Sequence, residues 1–347
     1  MDKKTTLVLI GLMLTSCILA STLRYTIYAN FGERVFSTSP LEINVMSDKE
    51  VYSIGENVQI YGNLTFYGEP LPDRLVALEI DSSESYPFIF RTLSTGTNLT
   101  GSWKIEVIRV FVGDEVGNQL FSVKRGNTVC VWVVFQNNFD ASVQTTIAFT
   151  IFDANNAPMF AAAPIEYLVP PGGPYNMSCP WIVPTDAQLG NAEICASAFS
   201  KMPRDAGISY CPEKSETFII EVATAMSTTV STSQSFYQMS ITGNYNYTFT
   251  LPTKGLRLGN YTVSVAANYK GLWEAFPASN TTKFKVVLLG DVNSDGKVDI
   301  KDIVLLVKAF GSYPGQPNWN PNADFNNDFK VDIKDMVLLI KHFGEHI

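Results

Sequence analysis

Asp291-Val-Asn293-Ser-Asp295-Gly296-Lys297-Val-Asp299-Ile300-Lys301-Asp302 and, 33 residues on, Asp324-Phe-Asn326-Asn-Asp328-Phe329-Lys330-Val-Asp332-Ile333-Lys334-Asp335 are two versions of one twelve-residue pattern. Oxygen-bearing side chains fall at positions 1, 3, 5, 9 and 12, and position 7, Lys297 or Lys330, can offer its backbone carbonyl. That is the ligand spacing of an EF-hand-type loop. Calcium is a hard cation that takes six to eight oxygens, and it cancels the repulsion among carboxylates folded into so short a loop.

Between Asp291 and Gly311, and again between Asp324 and Gly344, 15 of 21 positions are identical. Each loop runs into an apolar stretch with helical periodicity. Ile303, Leu306, Val307 and Phe310 recur at i, i+3, i+4 and i+7, and Met336, Leu339, Ile340 and Phe343 repeat them. Gly311 and Gly344 stand where helix C-caps belong. Neither half can bury its face alone, so the two halves are expected to pack on each other through these residues.

The segment 289–347 resembles a dockerin domain: a duplicated loop and helix, with Asp rather than Glu at position 12. The resemblance implies one calcium ion held by Asp291, Asn293, Asp295, Lys297, Asp299 and Asp302, and a second by Asp324, Asn326, Asp328, Lys330, Asp332 and Asp335. It implies a cohesin-like protein partner, contacted through Ile300, Lys301, Lys308, Ile333, Lys334 and Lys341, in either of two orientations because both halves carry the same residues. One departure separates the loops. Position 6 is Gly296 in the first but Phe329 in the second. A positive φ there costs a non-glycine residue about 1–2 kcal/mol, so the second site is expected to be weaker or distorted.

Upstream the pattern is β. Val58 and Ile60, Leu64 and Phe66, then Val76, Leu78 and Ile80 fall at every second position, as do Tyr245, Tyr247, Phe249 and Leu251, with turn residues between the runs. The fold class is therefore mostly β, immunoglobulin-like sandwiches followed by a small α-helical module. Asp48 to Gly62 resembles the opening of macroglobulin-like or immunoglobulin-like surface modules, whose closing strands here come late, at 244–265. Residues 41–100 and 223–288 are each too few for a sandwich. They are read as one split sandwich with a second, 103–222, inserted in it. Three small β-domains in series is the alternative. The crossings 94–102 and 223–235, rich in Ser, Thr and Gly, read as flexible linkers.

Residues 1–30 read as an export element. Lys3 and Lys4 precede an uncharged run from Thr5 to Leu23, long enough for a membrane anchor and equally readable as a cleaved signal. Either places the body outside the cell. Six sequons, at Asn63, Asn98, Asn176, Asn246, Asn260 and Asn280, are glycosylation candidates. Cys130, Cys179, Cys195 and Cys211 suit two disulfides in an oxidising compartment. Cys130, two residues from Trp132, resembles one end of an immunoglobulin inter-sheet bridge, which implies Cys130–Cys195 with Cys179–Cys211; four buried free thiols is the alternative.

The net charge of −8 and the lack of a basic stripe exclude a nucleic-acid partner. The only histidines are His342 and His346, so the β region holds neither a Ser-His-Asp triad nor a His-based zinc site. Glu79, Asp81, Glu84, Glu193, Glu213 and Glu274 are the carboxylates available to a glycosidase, which needs a pair across a cleft. Asp205, Glu213 and Glu216 read as a solvated loop, and Trp273 as a loop aromatic that could stack on sugar. The leading expectation is a non-catalytic cell-surface or secreted interaction protein. A carbohydrate-binding accessory of a polysaccharide-degrading complex comes second, and a glycoside hydrolase third.

Overall fold

The computed structural model describes residues 40–97, 99, 101–222, 243–269 and 277–346. The apolar run 5–23, Asn98, the crossing 223–235, Trp273 and Glu274 lie outside the described residues. Among the described residues eighteen strands and two α-helices follow in order: β1 Leu41–Ile43, β2 Met46–Ser47, β3 Val51–Ser53, β4 Asn57–Phe66, β5 Glu69–Pro70, β6 Leu75–Asp81, β7 Pro87–Ser94, β8 Ile105–Gly113, β9 Ser122–Lys124, β10 Thr128–Asn137, β11 Val143–Phe152, β12 Pro158–Val169, β13 Gly172–Ile182, β14 Gly190–Phe199, β15 Lys214–Glu221, β16 Asn244–Thr250, β17 Gly259–Ala267, β18 Ala278–Val287, α1 Ile300–Ala309 and α2 Ile333–Lys341.

The strands make four sheets. One has the order β1-β4-β16, with β2 and β5 also on β4, and it faces a second of order β3-β18-β17-β6-β7 across a core that includes Val58, Ile60, Leu78, Phe249 and Val263. A third, β13-β10-β8, faces a fourth, β12-β11-β14-β15-β9, across Val131, Phe135, Phe149, Ile194 and Phe218. The strands of the first sandwich thus come from both sides, in sequence, of the strands of the second.

β4 shows why the alternation forms a half-buried strand. Val58, Ile60, Gly62 and Leu64 are buried, whereas Asn57, Gln59 and Tyr61 are exposed. Gly62 marks a close approach: a Cβ there would collide with the carbonyl of Asn44 and the hydroxyl of Tyr245, which donates to that same carbonyl. β6 departs from the pattern, because all of Leu75–Asp81 is buried. Val76, Leu78 and Ile80 face the first core. Ala77 belongs to a separate small cluster with Phe90, Ala148 and Phe199, which joins the two sandwiches.

The junction between sandwiches is polar and tight. β7 is the last strand of its sheet, and side chains of the second sandwich cover its open edge. The Phe90 N–H donates to Thr150 Oγ1 at 2.8 Å, and that hydroxyl donates back to the Phe90 carbonyl at 3.2 Å. The Thr92 N–H donates to Glu213 Oε2 at 2.9 Å. An uncovered edge invites pairing with another chain, and these groups close it without adding a strand. Arg91 binds Glu213 in a fork, Nε lying 3.1 and 2.9 Å from the two carboxylate oxygens, and its guanidinium stacks 4.8 Å from the Tyr247 ring. Glu213 is therefore an interface residue and not part of a solvated loop; its side chain is only 10% exposed. The crossing 94–102 begins anchored rather than flexible, because Thr95 is fully buried and bonds to Leu71 and Arg74.

Cys130, Cys179, Cys195 and Cys211 are free, which overturns the Cys130–Cys195 and Cys179–Cys211 bridges. Cys130 pairs with Pro180 and Val131 with Cys179 in the β10–β13 ladder. Side chains alternate along a strand, so Cys130 turns outward while Cys179 faces the second core. Cys195 packs into the core of the first sandwich, and Cys211 into that of the second. Trp181 is a core residue, 4% exposed, whereas Trp132 lies on the outer face and donates its indole N–H to the Asp114 carbonyl at 2.9 Å.

Candidate metal centre and docking surface

β18 ends at Val287, and the first loop acid, Asp291, follows four residues later. Leu288 between them is buried in the core of the helical end, with Val292, Val298, Leu306, Val331 and Leu339. Ile54 and Leu258 pack against both that core and the core of the first sandwich. The helical end thus continues directly from the sheet.

In the first loop the backbone wraps the carboxylates. Asp291 accepts from the N–H of Asp295 at 3.1 Å and of Gly296 at 2.9 Å. Asn293 Oδ1 accepts from the Asp295 N–H at 2.9 Å. Asp302, fully buried, accepts from Val292 and Asn293 through one oxygen and from the Asp299 N–H, at 2.8 Å, through the other. Asp299 is the N-cap of α1 and Asp302 its N3 residue, a reciprocal capping box. Asp332 and Asp335 repeat it at α2. The residues that the spacing assigns to a cation therefore also start the helices, and loop and helix form as one unit.

The second loop repeats this geometry. The Phe329 N–H donates to Asp324 at 3.0 Å, and Asp335 accepts from Phe325 at 2.8 Å. Phe329 adopts φ +62° where Gly296 has φ +80°, so the loop keeps its shape and carries the strain. That corrects the expectation of a distorted loop; the phenyl ring escapes the crowded interior by facing solvent, 70% exposed.

The residues fit a hard cation. Asp324 Oδ1 is buried without a hydrogen-bond partner. Burial, with Asp335 and Asp328 close by, holds the Asp324 carboxyl above the usual range, and burial with Asp302 and Asp295 does the same to Asp291. Crowded acids whose charged forms are disfavoured are stabilised by a divalent ion. Among the described residues no three His, Cys, Asp or Glu side chains converge on one point. The loop's donors are mixed, however, since Asn293, Asn326 and the carbonyls of Lys297 and Lys330 belong to the set. All are oxygens, which suits calcium rather than zinc.

The two halves are clasped crosswise. The Val298 N–H donates to the Glu345 carbonyl at 2.9 Å, and the Gly344 N–H to the Val298 carbonyl at 2.9 Å. Gly311 and Ser312 hold Val331 in the same way, at 2.8 and 3.0 Å. This pairing is not among the sequence expectations, and the one local mark of it is the identical valine at position 8 of both loops, Val298 and Val331.

The helices carry a second surprise. Leu306 and Ala309 face inward, and Leu339 does so on α2, but Val307, Phe310, Ile340 and Phe343 do not, contrary to the expected packing. They join Ile300, Val304, Ile333 and Val337 in two solvent-facing apolar stripes, each residue 46–62% exposed. The inward face is narrower because Asp302 and Asp335 occupy part of it. Lys301, Lys308, Lys334 and Lys341 are also exposed. Lys301 Nζ lies 3.2 Å from Asp295 and Lys334 Nζ 2.9 Å from Asp328, which ties both to their loops.

The remaining candidates scatter. Asn176, Asn246 and Asn260 are exposed, and Asn63 is half-buried. The Asn280 amide, although its residue is exposed, donates to the Ile43 carbonyl at 2.9 Å. Glu79 and Asp81 lie together, fully or nearly buried beneath Arg204 of the second sandwich. Among the described residues no helix is long and apolar enough to cross a membrane.

Residues 289–344 match the family model of the dockerin type I domain, and the C-terminal end of the chain is a dockerin domain. Domains of this type bind calcium and dock onto cohesin domains. No curated protein matches the chain. Among solved structures, the C-terminal domain of wzt is 11% identical over 40% of this chain and 86% of its own, with a TM-score of 0.29. The alkylpurine DNA glycosylase AlkC of Pseudomonas fluorescens, solved bound to DNA, is 7% identical over 35% of this chain and 31% of its own, TM-score 0.27. The alpha-2-macroglobulin of E. coli is 9% identical over 73% of this chain and 23% of its own, TM-score 0.22. The chain thus spans under a third of the latter two, and likenesses this low carry no argument.

Proposed function

We propose that this chain is a non-catalytic extracellular interaction protein. Its dockerin end, loaded with one calcium ion per loop, docks a cohesin domain, and its two sandwiches serve as a stiff spacer. The observation that carries the reading is the pair of exposed apolar stripes, Ile300-Val304-Val307-Phe310 and Ile333-Val337-Ile340-Phe343. A small module does not leave such rows in water without a partner to cover them. Each stripe is flanked by lysines, Lys301 and Lys308 or Lys334 and Lys341, which suits an acidic rim on the partner. The second ion is held more weakly, because Phe329 keeps its loop strained.

Calorimetric titration of the full chain with a type I cohesin domain tests the proposal. Binding is expected in calcium and lost in excess chelator. I300E and I333E together should abolish it, while either alone is tolerated, because the other stripe substitutes. Binding that survives both substitutions would refute the docking surface.

A further inference from the structure

Glu79 and Asp81 are two residues apart on β6, so both side chains leave the same face of the sheet. That face meets the turn Pro203–Asp205 of the second sandwich. Glu79 is fully buried and Asp81 is 6% exposed. The Arg204 N–H donates to Glu79 Oε2 at 2.9 Å, and its Nη1 sits 3.3 Å from Glu79 Oε1 and 3.2 Å from Asp81 Oδ1. Glu79 Oε1 is nonetheless buried without a hydrogen-bond partner. Across the ladder Glu79 faces Ser264 of β17 and Phe90 of β7, and Asp81 faces Thr262 and Pro87, none of them charged. Asp205, exposed on the turn, adds negative potential at Asp81. One partly exposed guanidinium therefore serves two buried carboxyl groups.

Two carboxylates this close and this dry cannot both ionise against a single cation without a large cost. We propose that Glu79 and Asp81 share one proton at neutral pH, and that this proton latches the 202–206 turn of the inserted sandwich onto the sheet of the first. Loss of the proton leaves two negative charges facing Arg204 and loosens the junction, so the rigidity of the two-sandwich body depends on pH.

Burial, then the charge of Asp81, pushes the Glu79 carboxyl up to about 8. The folded state then holds a proton that the unfolded chain releases near the ordinary carboxylate value. Stability falls as pH rises from that value to about 8 and levels off above it. Mildly acidic surroundings tighten the junction.

The test uses the full chain. Denaturant unfolding of the second sandwich across pH 5–9.5 should show this downward slope in the wild type and lose it in E79Q, whose amide keeps the size and the link to Asp81 but cannot ionise. Hydrogen exchange of the Arg204 amide, compared between the two proteins at equal pH, should quicken in the wild type relative to E79Q by about tenfold for each pH unit between the ordinary carboxylate value and about 8, and level off above it. Infrared spectra of the wild type alone should contain a protonated-carboxyl band at pH 7 that vanishes by pH 9.5, a measurement that needs no variant to fold. Equal slopes and equal Arg204 exchange in the two proteins, or no such band at pH 7, would overturn the proposal.

Discussion

Arg91 and Glu213 on one side, and Asp302 and Asp335 on the other, are all buried charged side chains, yet they are handled differently. In the β body the charge is neutralised within the chain. Arg91 forks onto Glu213 and stacks on Tyr247, so the interface between sandwiches is complete by itself. In the helical end the buried acids find backbone N–H groups instead, and further acids stand next to them. Hydrogen bonds satisfy their geometry but leave the net negative charge. The body folds around its own ion pairs, whereas the end waits for a cation from solution.

Chelation gives the largest separation between the two. In excess chelator the helical signal of the far-ultraviolet circular dichroism should fall, while the β signal melts at nearly its original temperature. Calcium at a thousandfold over its dissociation constant stabilises a folded site by about 4 kcal/mol, much of what so small a core could otherwise supply. If both signals fall together, the shared contacts at Ile54 and Leu258 fuse the two regions into one cooperative unit.

R91A should act the opposite way. It leaves Glu213 buried without its cation and should cost about 3–5 kcal/mol, lowering the melting temperature of the β body equally with and without calcium. A loss that calcium rescues would contradict the division.

The smallest effect separates the two loops from each other. F329G removes the strain of a left-handed phenylalanine, worth about 1 kcal/mol after the added chain entropy of glycine. It should raise calcium affinity at the second loop severalfold and leave the first unchanged, as read by calorimetry with the full chain. An unchanged second affinity would mean that the loop's shape, already the same as that of the first, is all that matters.

How much could be read beforehand follows from the range of the interactions. The metal loops were legible because their ligands lie within twelve residues, and chain geometry alone brings such neighbours together. The strands were legible wherever one face is wet, as in β4 with Val58, Ile60 and Leu64. Reading failed where both faces are dry. β6 shows alternation only in part, and nothing in Ala77, Glu79 or Asp81 announces a second sandwich above them. Glu213 looked like a loop acid because its partner lies 122 residues away. The disulfide expectation failed for a related reason: spacing along the chain does not reveal which side of a strand a cysteine takes, and the four thiols point into different places.

The same limit divided the helices. Their periodicity marked apolar residues without saying which row turns inward. Only packing decided that Leu306, Ala309 and Leu339 are buried while Ile300, Val307, Phe310 and their repeats face water. Sequence by itself determined the calcium-loop spacing, the duplication and the β character of the body, because each rests on local periodicity. The tertiary structure alone decided the buried ion pairs between sandwiches, the clasp that joins Val298 to Glu345 and Val331 to Ser312, and the stripes left open for a partner. Those depend on which distant surfaces meet, and no local pattern encodes that.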